Sequence, residues 1–273
     1  MMGDEWLFPN RATPVGSSAY YSVRFAPASL RHDLAALLAW RHELRAIPQD
    51  VSDPGVARLK LQWWREELER AYRDAPRHPL SRILAPVLAR RALPRDPFSQ
   101  MSDQVEAEIL RRHPADQAGM HLACEQDQGA LFELMAHCHD AREVDALTAC
   151  RRLGTFCARV YKIRDSGLLA RRGRILFPLD SLRRHGLSAE ALMERAHRAQ
   201  LPMLLREAAE QARDELPTRQ DGPKPPAAIR VWTVVVEALL NELERSGFAV
   251  ADQRIELNPL RKLWIGWREC RRV

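Results

Sequence analysis

The segment KIRDSGLLARRGRILFP, Lys162 to Pro178, sets one carboxylate, Asp165, among the arginines Arg164, Arg171, Arg172 and Arg174, then closes on a short apolar run and a proline. Guanidinium groups match phosphate bidentately, so Arg164, Arg171 and Arg174 are candidate residues for binding a phosphate group. Oxygen ligation suits a hard cation, which makes Asp165 a metal-ligand candidate. Blander roles stay open beside these: a solvated basic loop for the arginines, and a pairing with a nearby arginine for the acid.

Other groups of chemical interest carry less. His137 and His139 in HCHD are two apart and point to different sides of a helix, which suits a structural or surface role. His121 and Cys124 share a face, but two residues do not make a metal site. The five cysteines are odd in number and include no CxxC pair, so they read as reduced and mostly buried thiols. Tyr20 and Tyr21 could line an apolar pocket or serve as core aromatics.

The elements that must position these residues are helical. In ARLKLQWWREELERAY, Leu61, Trp64, Leu68 and Ala71 recur at three- and four-residue steps, and Asp53 with Pro54 supplies the cap and first residue. Upstream, Ser29 can cap a helix carrying Leu30, Leu34, Leu37, Leu38 and Ile47, which Pro48 ends. The pattern predicts further helices over 80–91, 97–112, 115–138, 141–164, 188–197, 201–215, 227–245 and 258–271. Arg174 to Pro178 is the best strand candidate and is too short to build a sheet. LPTRQDGPKPPAA, from Leu216, is a loop, and the helix from Ala227 is apolar around most of its circumference, so other helices should surround it. A single all-α domain over 1–273 follows, with 1–16 an irregular N-terminal segment.

The 273 residues include 46% apolar ones, ample for a buried core, and carry a net charge of +6 that comes almost wholly from arginine. So lopsided a ratio of arginine to lysine reads as codon bias, and with no recognisable motif we expect no nucleic-acid partner. The N-terminus does not read as a secretory signal, and the longest apolar segment, AAIRVWTVVVEALL, is interrupted by Arg230 and Glu237 and too short to span a bilayer. The expected location is cytoplasmic, with peripheral membrane association open. The C-terminal stretch NPLRKLWIGWRECRRV places Leu260, Leu263, Trp267 and Cys270 on one face, with arginines elsewhere. That face could rest on anionic lipid, but packing into the core is the reading we prefer.

Three ordered segments resemble the squalene/phytoene synthase family. SSAYYSVRFAPASLRHDLAALLAW holds Tyr20, Tyr21, Arg24, Pro27 and Arg31 where that family has an aromatic segment, an arginine, a proline and a second arginine. LQWWREELERAYRDAPRHPL is similar to its next helix and HP turn, and RDSGLLARRGRILFPLDSLRRHGLS to its second aspartate-rich segment. The resemblance implies a single-domain isoprenoid-synthase-like helical bundle around a central cavity, in which two prenyl diphosphates are joined head to head. It also implies two facing helices whose spaced aspartates hold magnesium ions, which stabilise the departing diphosphate. Tyr20, Tyr21 and Arg24 join the arginines as substrate-binding candidates on this ground.

Against that pattern the acids are missing. The first motif aligns with Arg45, Ala46 and Gln49, and the second with Tyr161, Asp165 and Leu169, so Asp165 alone survives. Glu43 and Asp50 bracket the first segment but stand seven apart with Pro48 between them. AWRHELRAIPQDVSDPGVARLKLQWW looks more like the family's non-catalytic branch, which includes a mitochondrial complex I assembly factor with a phytoene-synthase-like domain. We therefore expect a catalytically impaired protein that needs no cofactor and binds no metal. It would act as an isoprenoid-binding or assembly factor, with a prenyl diphosphate, an isoprenoid lipid, a membrane surface or a membrane protein complex as partner. The alternative is an active head-to-head prenyltransferase of the squalene or phytoene synthase type, using magnesium.

Overall fold

Apolar residues at three- and four-residue steps must be buried on one side of a helix, and the chain solves this by stacking helices on one another. The computed structural model describes residues 4–171, 174–187, 200–217, 224–251 and 253–272. Among them are α1 (Ser18–Arg24), α2 (Arg31–Asp50), α3 (Pro54–Tyr72), α4 (Pro79–Arg90), α5 (Asp96–Ile109) and α6 (Gln117–Cys124). A π turn, Glu125–Gly129, leads into α7 (Ala130–Cys138), followed by α8 (Val144–Ala170), α9 (Leu179–Arg184), α10 (Leu201–Arg213), α11 (Ala227–Arg245) and α12 (Pro259–Cys270). No strand occurs among the described residues.

The long helix α8 runs through the centre, against the π turn, α6, α7, α10 and α11. As its composition predicts, α11 is wrapped, by α1, α7, α8 and α12. One continuous core contains the wholly buried Trp40, Phe98, Phe132 and Phe156. Trp40 meets Phe98 edge-on at 4.9 Å between centroids, and Phe132 meets Trp232 at 5.4 Å. The N-terminal segment is a 3-10 turn at Asp4–Trp6 followed by turns, with Trp6 buried and Asn10 Nδ2 donating to the Ala35 carbonyl of α2 at 3.1 Å.

One polar group inside this core fixes a turn. Glu67 is wholly buried; its Oε1 accepts the backbone N–H groups of Arg77 and His78 at 2.7 Å each, and its Oε2 accepts from Arg70 Nε at 2.8 Å. Burial alone would raise its pKa, but these donors outweigh it and hold the carboxyl below the usual range. The HP turn is thus tied to α3, and His78 Nδ1 accepts from the Leu80 N–H to cap α4.

Several boundaries depart from the pattern read in the sequence. Helix α2 runs past Pro48 to Asp50, because the missing N–H falls in the last turn and the Val51 N–H to Ile47 carbonyl bond, 3.0 Å, closes the helix beyond it. Ser29 lies in a 3-10 turn, Ala28–Leu30, and does not cap α2, whose N-cap is Leu30. Asp53 does cap α3, accepting the Val56 N–H at 2.8 Å. The helix expected over 115–138 is interrupted by the π turn, and the one expected to end at 164 continues to Ala170, carrying Asp165 and Leu169 on the same face as Tyr161. Helices α1 and α9 are short and were not signalled by periodicity. The helix expected over 188–197 lies outside the described residues, as does Arg172.

Close approach of α8 to the π turn depends on Gly154: a Cβ there would lie 2.3 Å from the Gln128 carbonyl oxygen and 2.7 Å from Gly129 Cα. Both neighbours are backbone and cannot swing aside. Gly154→Ala is expected to lower stability by about 1–3 kcal/mol, as overpacking does, read as a fall in the denaturant midpoint at unchanged slope.

Candidate functional site

The acid-free ridge of α2 faces α8 across a half-open cavity of about 390 Å³. Its walls carry Arg41, Arg45 and Gln49 of α2, Glu108 of α5, Asp127 and Gln128 of the π turn, and Tyr161, Lys162, Arg164, Asp165 and Leu169 of α8. Arg174, Trp232 and Arg254 complete them. Arg41, Arg45 and Gln49 share one helical face by their spacing of four.

Each carboxylate described in this cavity is already held by guanidinium groups. Asp127 accepts from Arg41 Nε at 2.8 Å and Arg41 Nη2 at 2.9 Å, a bidentate pair, and from Arg45 Nη1 at 2.6 Å. Glu108 accepts from Arg174 Nη2 at 2.9 Å, with Arg45 Nη1 at 3.5 Å. Asp165 is gripped by its own neighbour, Arg164, at 2.8 and 2.7 Å, with Arg254 Nε at 3.3 Å. Arg164 also stacks 4.6 Å from the Tyr161 ring centroid and donates to Glu256 at 3.0 Å. Lys162 reaches into the cavity and makes no ion pair among the described residues.

Burial pushes Asp127 upward, but Arg41 and Arg45 outweigh it and bring the carboxyl down to about 2. The same balance lowers Glu108, where burial is opposed by Arg45, Lys162 and Arg174, while Asp127 holds the Arg45 guanidinium more firmly protonated. Tyr161 accepts from Trp232 Nε1 at 2.8 Å, and burial pushes its phenol up to about 12, so it stands as a neutral hydroxyl where the resemblance places an asparagine.

Of the residues singled out in the sequence, Arg45, Gln49, Tyr161, Arg164, Asp165, Leu169 and Arg174 meet at this cavity. Ala46, Glu43 and Asp50 do not line it. Arg171 lies outside it and donates to the Ala251 carbonyl. Tyr20 and Tyr21 belong to α1, where Tyr20 stacks on Phe8 at 5.3 Å and meets Tyr21 edge-on at 5.2 Å, and Arg24 is exposed. His121 pairs with Glu215 at 2.8 Å, and buried His137 lies beside Arg142 and Glu133. Arg41, Glu108, Asp127, Lys162 and Arg254 were missed; only Arg41, four residues before Arg45 on one face, had a signal in the spacing.

An all-α bundle enclosing a charged cavity between α2 and α8 is the isoprenoid-synthase-like fold. The squalene/phytoene synthase family model matches residues 12–261, and the chain belongs to that family. It is similar to a dehydrosqualene synthase structure, with a TM-score of 0.78 at 18% identity over 92% of this chain and 90% of that one. A squalene synthase from Alicyclobacillus acidocaldarius gives 0.69 at 17% identity, over 87% and 92%. In sequence, rat NADH dehydrogenase (ubiquinone) complex I, assembly factor 6, is 23% identical over 262 residues, 92% of this chain and 78% of that protein. Phytoene synthase of Arthrospira platensis is 22% identical, over 89% and 85%.

Because the folded pKa of Asp127 lies below its unfolded value of about 4, its ion pairs contribute fully above that pH and are lost as the pH falls towards about 2. Asp127→Asn is expected to be less stable than wild type by about 2 kcal/mol at neutral pH, with the gap closing as the medium approaches pH 2. Urea unfolding across that range measures it.

Proposed function

We propose that the chain is a catalytically impaired member of its family that binds an anionic isoprenoid through arginine and lysine instead of through metal, and serves as an assembly factor for a membrane protein complex. The observation that carries this reading is the closure of the carboxylates: Asp127, Glu108 and Asp165 each engage two guanidinium groups. A magnesium ion of the kind the family's chemistry uses does not fit this donor set. It would have to displace those cations, and it would enter a cavity where, among the described residues, Arg41, Arg45, Lys162, Arg164, Arg174 and Arg254 face three carboxylates, Glu108, Asp127 and Asp165.

That same excess favours an anion. A diphosphate brings several negative charges, Lys162 lines the cavity without a direct ion pair among the described residues, and Arg174 and Arg254 line it as well. Leu168, Leu169, Leu176 and Trp232 supply an apolar wall for the attached chain. The relatives named as complex I assembly factor 6 support an assembly role, and the missing metal ligands agree with it.

Farnesyl diphosphate without magnesium is expected to raise the melting temperature, by the equivalent of about 2.7 kcal/mol at a hundredfold excess over Kd, and Lys162→Ala to weaken binding about tenfold. With magnesium, farnesyl and geranylgeranyl diphosphate should release no pyrophosphate above background. Turnover at roughly 1 per second or faster would overturn the reading in favour of an active prenyltransferase.

A further inference from the structure

Helix α12 turns its apolar side outward, opposite to the packing preferred from its sequence. Leu260 is 77% exposed, Leu263 42%, Trp264 53% and Trp267 44%, while Lys262, Ile265 and Gly266 are buried. The reason lies in the contacts beneath. Gly266 admits Phe25, whose Cε2 would be 2.7 Å from a Cβ there, so this side of the helix must sit on α1 and α11. Lys262 Nζ is buried because it pairs with Glu256 at 2.9 Å and donates to the Gly16 carbonyl, and Glu269 pairs with Arg230 at 3.0 Å. Two polar pairs and a glycine therefore decide the orientation against the apolar pattern.

The outward face is cationic as well as apolar. Arg268 lies 4.5 Å from the Trp264 ring centroid and Arg271 4.2 Å from that of Trp267. Neither of them, nor Arg272, makes an ion pair among the described residues, whereas the helix's own acid, Glu269, is turned inward and neutralised. Val15, 74% exposed, follows alongside, since its neighbour Gly16 packs on Pro259.

We propose that this face of α12 docks on an anionic phospholipid bilayer. Leucine and tryptophan side chains enter the headgroup boundary, and the stacked arginines meet lipid phosphates. Charge complementarity favours this occupant: among the described residues the face offers positive charge with no ion-paired acid, on an exposed helical ridge that a planar interface can receive along its length. The docking is separate from whatever the cavity binds.

The test is co-sedimentation of the full chain with vesicles of phosphatidylcholine alone and of equimolar phosphatidylcholine and phosphatidylglycerol, with tryptophan emission followed in parallel. Wild type is expected to bind the anionic vesicles with a blue shift, to bind neutral vesicles at least tenfold more weakly, and to be released by salt. The pairs Trp264→Ser with Trp267→Ser and Arg268→Glu with Arg271→Glu should each lose about tenfold or more, with circular dichroism unchanged. Trp63→Ser, on an exposed part of α3, and Lys162→Ala, in the cavity, should bind as wild type does. The proposal is overturned by no sedimentation with either vesicle, by binding indifferent to lipid charge, or by equal loss in Trp63→Ser. It is also overturned by a solution dimer that the Trp264→Ser with Trp267→Ser variant dissolves, which would give the face to a second copy.

Discussion

Two arginines on one helix holding one aspartate on the neighbouring π turn constitute the interaction on which the site depends. Arg41 and Arg45 grip Asp127 from α2 at 2.6–2.9 Å, where the family's chemistry would have carboxylates converging on metal. A guanidinium is a permanent cation with a fixed fork of donors, so the pair neutralises the cavity wall from within and leaves no oxygen idle. An aspartate-rich helix repels itself until a cation arrives, whereas here the cations are side chains of α2. The cavity is lined by more cationic than anionic side chains among the described residues.

The backbone shapes the site along with the side chains. Asp127 is on a π turn between α6 and α7, and insertions of this kind re-aim one residue of a helix at little cost to the rest. Gly154 lets α8 approach that turn backbone to backbone. Asp165, across from Asp127, survives in sequence but is occupied by Arg164 at the adjacent position and by Arg254. Retention of a residue type is thus no measure of retained chemistry. What counts is whether the oxygen atoms are free.

Helices α3, α8, α10 and α11 were legible because their apolar stripes are long and regular, and the lone acid Asp165 among lost motif positions was legible from the family resemblance. Asp127 was not, since HLACEQDQGALFEL reads as uninterrupted helix and only the packing against Gly154 reveals the wide turn. Pro48 reads as a stop because its missing N–H matters inside a helix, but in the last turn the loss is small. The outward face of α12 was misread for a different reason: periodicity locates an apolar stripe but carries no information about which stripe a buried Lys262–Glu256 pair and a close-packed Gly266 will select.

The central claim is that arginine has taken the place of metal in this cavity. It is tested most directly by crystals grown with manganese and a non-hydrolysable farnesyl thiodiphosphate, examined by anomalous scattering at the manganese edge. The account predicts no ordered manganese in the cavity, with Arg41 and Arg45 still on Asp127 and the diphosphate beside Lys162 and Arg174. Manganese peaks bridging Asp127 or Asp165 to the diphosphate, with the arginines displaced, would contradict it.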